Sequence, residues 1–343
     1  MAVPVNTKTS VGLVGVREDL SDAITTIANT ETPLFSMLKS ETMNGQRYEW
    51  QTDSLVAVNP ANAHFSGNIV DPEARPQTVR VGNYPQFFRK DFNVTDKARR
   101  LKTAGRTDQL AYETMKASKE ILRDIEAVIA GNQGERAEAS EIVPGLLRGF
   151  ESWLASNVSR GAGGSNAPAP TSGAVDGTDR TLTIDGTGVG QLAGEAAFKS
   201  ILRSRFQKTG EANKKLYLIA SPDHHDTIAG FRGREQTRIQ IGTKEVNGAV
   251  DMLITNYGRV MVMPSVFHAY RPGANSTQTF GNSLFLVDPE YACLAYLRPM
   301  FREKLARVTD ADRFMIGAEL TLVVKNEAAH GLIADLDGFT GSN

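Results

Sequence analysis

One cysteine in 343 residues, Cys293, is too few for a disulfide framework within the chain or for a zinc site built on cysteines. Long apolar runs are missing too, and none approaches the ~20 residues that cross a bilayer. An excess of charge of one sign is absent. Lys plus Arg number 38 against 39 for Asp plus Glu, a net charge of -1. That balance excludes a protein whose whole surface binds nucleic acid and leaves local patches open. The start, Met1-Ala2-Val3-Pro4-Val5-Asn6, has neither the basic residues nor the apolar core of a signal peptide, so a cytoplasm is the expected place of synthesis. There is no internal repeat. Hydrophobic residues make up 41% and charged residues 22%, which fits a folded chain of about two domains or one large one.

Reaction chemistry is equally sparse. No Gly-x-Ser-x-Gly elbow is present, and no Ser/His/Asp set stands out. Gly161–Gly164 lacks the strand before it and the Lys-Ser/Thr after it that a phosphate loop needs, and Gly12–Gly15 is only glycine in an arm. Asp335-Leu336-Asp337-Gly338 offers too few oxygens for calcium. In Asp223-His224-His225-Asp226 the two histidines point ~100° apart on a helix, whereas zinc helices space them by four. His64, His268 and His330 have no ligand partner at a recognised spacing. Cys293 lies in an apolar strand pattern and reads as a small buried hydrophobe. No catalytic, metal or cofactor residue is expected.

What is present is an ordered series of parts. An arm comes first, with a short helix over Asp19 to Ala28 and a break at Thr32-Pro33. Two strand-like runs, Tyr48 to Val58 and Thr78 to Val94, flank Asn59 to Gln77, where Pro60, Gly67, Pro72 and Pro76 mark turns. Together they predict a long hairpin with a polar tip, marginal unless it lies on its own body or on a neighbour. A helix is expected over 107–130, facing inward through Leu122, Ile125 and Ile129 and stopping at Gly131-Asn132. Residues 155–190 are poor in large apolar groups and read as a linker. Beyond it the pattern predicts a mixed α/β unit. Its parts are a helix over Leu192–Gln207, a buried strand over Leu216–Ala220 and a short helix capped by Ser221-Pro222. Strands follow at Met252–Thr255, Val260–Met263, Leu284–Val287 and Tyr291–Leu297. A long strand over Phe314–Lys325 and a tail close the chain.

Two basic patches stand out. Lys97, Arg99, Arg100, Lys102 and Arg106 come within ten residues with no acid among them; Arg232, Arg234, Arg238 and Lys244 stand against Glu235. A solvated face is the ordinary explanation, and contact with nucleic acid or an acidic partner the sharper one. Patches 97–106 and 232–244 keep open a nucleic-acid-binding alternative, and residues 190–300 an α/β enzyme.

The order of these parts resembles the major capsid proteins of tailed bacteriophages with the Hong Kong 97 fold. Five stretches carry the likeness: Arg17-Glu18-Asp19-Leu20-Ser21-Asp22; Thr32-Pro33-Leu34-Phe35-Ser36-Met37; Glu49-Trp50-Gln51-Thr52-Asp53; Asp288-Pro289-Glu290 with Leu294-Ala295-Tyr296-Leu297-Arg298-Pro299; and Asn326-Glu327-Ala328-Ala329-His330-Gly331. The resemblance implies an α+β subunit. Residues 1–45 would be the N-terminal arm and 46–93 an extended loop lying over an adjacent subunit. Residues 94–189 and 291–343 would form a peripheral domain with the spine helix, and 190–290 an axial domain. It implies hexamers and pentamers of this one chain in an icosahedral head around double-stranded DNA, with a portal protein, a cement protein and non-specific contact with the packaged DNA. Inter-subunit contacts would fall on Tyr48, Trp50, Phe65, Arg75, Arg80 and Phe87. Arg99, Arg100, Lys102, Arg232, Arg234 and Arg238 would face the interior or an acidic partner. The founding member cross-links a loop lysine to a neighbour's asparagine, but Tyr48 to Arg89 holds no lysine. The likeness starts near Val16, which leaves no room for a fused scaffolding region; a separate scaffolding protein, or none, is implied.

Overall fold

The computed structural model describes residues 31–67, 69, 74–101, 108–139, 142–159, 195–212, 214–229, 252–267, 283–334 and 336. The expected arm helix over 19–28, both glycine runs, Lys102, Arg106, His268 and the patch 232–244 lie outside these residues.

The described chain opens with α1 (Pro33–Met37) and β1 (Lys39–Thr42), followed by β2 (Tyr48–Thr52), β3 (Val79–Asn83) and β4 (Gln86–Thr95). Then come α2 (Asp96–Arg100), α3 (Gln109–Ile129), α4 (Phe150–Trp153), β5 (Val158–Ser159), α5 (Glu195–Thr209), β6 (Lys214–Ala220) and α6 (Pro222–Ala229). The last strands are β7 (Met252–Thr255), β8 (Gly258–Pro264), β9 (Leu284–Val287), β10 (Ala292–Thr309), β11 (Ala311–Val324) and β12 (Gly331–Ile333).

Two larger sheets organise these elements. The first runs β1-β10-β11-β4, and the second β5-β12-β9-β6-β8-β7. Helix α3, the expected spine, lies on the first. The Asp108 carboxylate accepts the Leu110 N–H at 2.9 Å and starts it. Ala117, Ile121, Ile125 and Ile129 recur every fourth residue and are buried against Phe88, Ile316, Ala318 and Leu320. Leu122 is only half-buried. The inward stripe passes through Ile121 rather than Leu122, because a four-residue step from Ile125 lands on 121.

The expected long hairpin is cut in two. Residues 48–52 pair with 79–83, but Tyr84-Pro85 ends that ladder, and 86–95 pair with β11 instead. Proline lacks the N–H a continuing ladder would need. Phe87 therefore belongs to the first sheet, where it pairs with Glu319 and stacks on Phe301, and not to the loop. The strand expected over Tyr291–Leu297 runs on to Thr309 and turns back directly into β11. The charged stretch Arg298–Lys304 hid it, and Pro299 falls where the pairing with β11 slips between Arg298 and Phe301.

In the second sheet β6 and β8 are parallel, while β9 runs antiparallel to β6. Helix α5 packs Phe198, Ile201 and Leu202 against Leu286 and Ile333. The tail strand β12 pairs with β9, and β5 with β12. Residues 158–159 and 331–333 thus complete the second sheet, although the sequence division placed them in the peripheral unit. The linker reading also fails for 155–159, which are pinned as described below.

Candidate assembly interface

Between β2 and β3 the chain leaves its own body. Across residues 53–78 no described residue belongs to a helix or strand, and every described one is exposed. Leu55, Val58, Phe65 and Ile69 have relative exposures of 96%, 93%, 75% and 95%. Four large apolar side chains on one unsupported loop make a surface suited to burial against something else. Arg75 is exposed beside them, and Arg80 at the loop's base pairs with Glu49 at 3.3 Å.

The base is anchored to the subunit itself. The Trp50 ring lies 5.4 Å from that of Trp153, and Tyr48 donates its hydroxyl to Glu41 at 2.8 Å. That hydrogen bond pushes the Tyr48 hydroxyl up to about 12. Tyr48 and Trp50, expected at a subunit contact, are half-buried against their own chain. An open recess of about 430 Å³ lies beside them, lined by Trp50, Trp153, Val81, Lys325 and Glu327. At the end of β3, Asn83 donates to the carbonyls of Arg148 and Leu322 at 3.2 and 2.7 Å and accepts the Arg148 N–H at 2.8 Å. One buried amide thus ties loop base, α4 turn and β11 together.

The second anchor is the junction between the sheets, built by Asn326-Glu327-Ala328-Ala329-His330-Gly331. The Asn326 side chain accepts the Ala328 N–H at 3.1 Å and starts a 3-10 turn over Glu327–Ala329. Glu327 accepts the N–H groups of Ala155 and Ser156 and the Ser156 hydroxyl. Asn157 donates to the carbonyls of Ala328 and His330 at 2.7 and 2.9 Å. Arg205 of α5, fully buried, donates to the Ala329 carbonyl at 2.8 Å and pairs with Asp288 at 2.8 Å. His330 accepts the Asp288 N–H at 3.1 Å and stands edge-on to Phe150. Burial holds its imidazole neutral, pushed down to about 3. At Gly331 any Cβ would collide with the Ile201 side chain, so the helix packs on bare backbone there. The role of this motif was invisible to spacing rules, because its partners sit 42 to 173 residues away.

Among the described residues no group of three His, Cys, Asp or Glu side chains could hold a metal. No described helix is long and apolar enough to cross a membrane. Cys293 is buried on β10, and desolvation pushes its thiol up to about 12, which leaves it unreactive.

A family model of the SU10 major capsid protein matches residues 4–337. The chain belongs to that family. The major capsid protein of Escherichia phage Phieco32 is 33% identical over 119 residues, 35% of this chain and 34% of that one, so the match spans about a third of the relative. The fold is shared far more widely than the sequence. The capsid asymmetric unit of cyanophage A-1(L) superposes with a TM-score of 0.60 at 14% identity, covering 96% of this chain and 98% of that one. The capsid of cyanophage P-SCSP1u gives 0.59 at 12%, covering 97% and 100%. The α+β fold is therefore that of Hong Kong 97-type phage capsids.

On this SU10-family subunit the described part of the basic stretch, 97–101, lies among aspartates and further cations of β10 and β11. Arg99 reaches Asp312 at 2.8 Å, Lys304 reaches the same carboxylate at 3.0 Å, and Arg307 bridges Asp96 and Asp310 at 3.5 and 2.7 Å. Arg100 is mostly exposed and 4.0 Å from Asp96. The β10–β11 turn thus brings aspartates to a patch that had none along the chain.

Proposed function

We propose that this chain closes the icosahedral shell of a phage head around double-stranded DNA, with residues 53–78 of each copy lying on a neighbouring copy. Family membership supports the capsid role. The observation that carries the contact is the set Leu55, Val58, Phe65 and Ile69, exposed on a loop whose base is firmly anchored. A loop that presents apolar area away from its own core suits a repeated contact in a closed shell. Phe65, Arg75 and Arg80 are the contact residues this reading keeps from the sequence.

The first sheet with α3 corresponds to the peripheral unit, and the second sheet to the axial unit gathered around five-fold and quasi-six-fold axes. Lys97 and Arg100, exposed on α2, are available to packaged DNA or an acidic partner on this reading. A portal and separate scaffolding and cement proteins complete the assembly on this reading, which takes place in the host cytoplasm. Gel filtration and negative-stain microscopy of the purified chain test it. Rings or shells are expected; a persistent monomer across concentrations and salts would refute the assembly role.

A further inference from the structure

The spine helix carries a carboxylate on its buried side. Glu126 is fully buried, and its two oxygens accept the backbone N–H groups of Leu34 at 2.9 Å and Phe35 at 2.7 Å. Those amides belong to the first turn of α1, the segment through which the chain leaves residues 1–30 and enters the fold. Leu34, equally buried, lies in the same core as Ile121, Ile125 and Ile129. So α1 is seated on α3 by an apolar side chain and by one carboxylate.

No cation among the described residues answers that carboxylate. Helix α1 has no charged residue. On α3, Arg123 lies over the Phe267 ring and Asp124 is paired with Lys90 of β4. The β11 residues in this core, Ile316, Ala318, Leu320 and Leu322, are apolar. On α2, Arg99 is engaged with Asp312. Glu31, exposed, flanks α1. A buried carboxylate held only by amides carries a desolvation cost that no cation offsets.

We propose that Glu126 is a proton-operated catch: neutral, it leaves residues 31–38 seated on the spine helix, and on ionising it favours their release. The sign follows from hydration. Seated, α1 shuts water away from the carboxyl group; released, the group is solvated and charges at its ordinary value. Burial pushes it up to about 7 in the seated form, with the two amide hydrogen bonds pulling the other way. The seated form therefore holds the proton more tightly. Seating is strongest in acid, weakens as pH rises from about 4.5 to about 7, and then levels off, by at most tenfold per pH unit for one proton. This is a property of a single subunit and stands apart from the shell proposal.

Hydrogen exchange of the peptide spanning 31–38 tests it. The full-length subunit is followed from about pH 5 to about pH 8.5, with intrinsic exchange rates divided out. In the natural protein, protection of the Leu34 and Phe35 amides should fall with rising pH and level off above about 7. Glu126→Gln should show no such fall. Asp124→Asn, which removes the exposed carboxylate next along the helix, should keep the natural profile. A flat natural profile, or protection that rises with pH, overturns the proposal whether or not the variants fold. An equal fall in Glu126→Gln overturns it too.

Discussion

The loop at 53–78 and the junction at 326–331 are opposite answers to the same demand for surface. The loop's described residues expose apolar side chains and pair almost no polar group with the rest of the subunit. The junction exposes little and gives nearly every polar group a partner inside the chain. Parts that hold one subunit together find most of their partners internally, whereas the part proposed to hold subunits together is left unsaturated. Both are irregular backbone, and partner accounting separates them where secondary structure does not.

The sharpest way to break this contrast is to remove the loop. Deleting residues 59–77 should leave a folded subunit that forms no closed shells under electron microscopy, since those residues make little contact with their own body. Normal particles from the deletion would end the comparison. The next largest effect belongs to the junction. Arg205→Ala strands the buried Asp288 and the Ala329 carbonyl and should cost about 3–5 kcal/mol in urea unfolding, because one member of a buried pair is left alone. A loss below about 1 kcal/mol would mean that the junction is not the internal tie described here.

Acid should find the junction before the loop. His330 is neutral when buried but takes up a proton near its ordinary value once unfolded, so the unfolded state binds more protons between about 6.5 and about 3. Stability contributed at this position is intact above about 6.5 and is lost as pH falls, by at most ~1.4 kcal/mol per unit. Unfolding midpoints followed against pH should show a smaller acid loss in His330→Gln than in the natural chain. The smallest effect is expected at the tip. Phe65→Ser should move subunit stability by no more than about 0.5 kcal/mol while lowering the yield of shells. A stability loss of several kcal/mol would show that Phe65 packs on its own chain.

Much of this architecture was legible along the chain. The spine helix, β7 and β9 follow from apolar spacing, and Ser221-Pro222 marked the start of α6. What escaped was set by distance. Nothing near Pro299 signals that Arg298–Thr309 continues a strand, because its partners on β11 supply the apolar side. Nothing beside Glu126 along the chain marks it, since the α1 amides that occupy it lie 91 and 92 residues earlier. The expected polar tip leaves Phe65 as the one exposed apolar loop residue named from the sequence, and nothing along the chain shows that Trp50 at the loop's base is taken up by Trp153.

The strand order of the first sheet also sets a clock for synthesis. Gln86 pairs with Leu320, and Asn83 donates to the carbonyl of Leu322, across 239 residues. Contacts of such sequence separation form slowly, and here they cannot form until most of the chain has been made. On the ribosome, β4 waits without its β11 partner and the spine helix without the sheet it covers, while the loop has long since emerged. A nascent chain can therefore offer a neighbour its loop but no finished body to receive one until β11 has emerged.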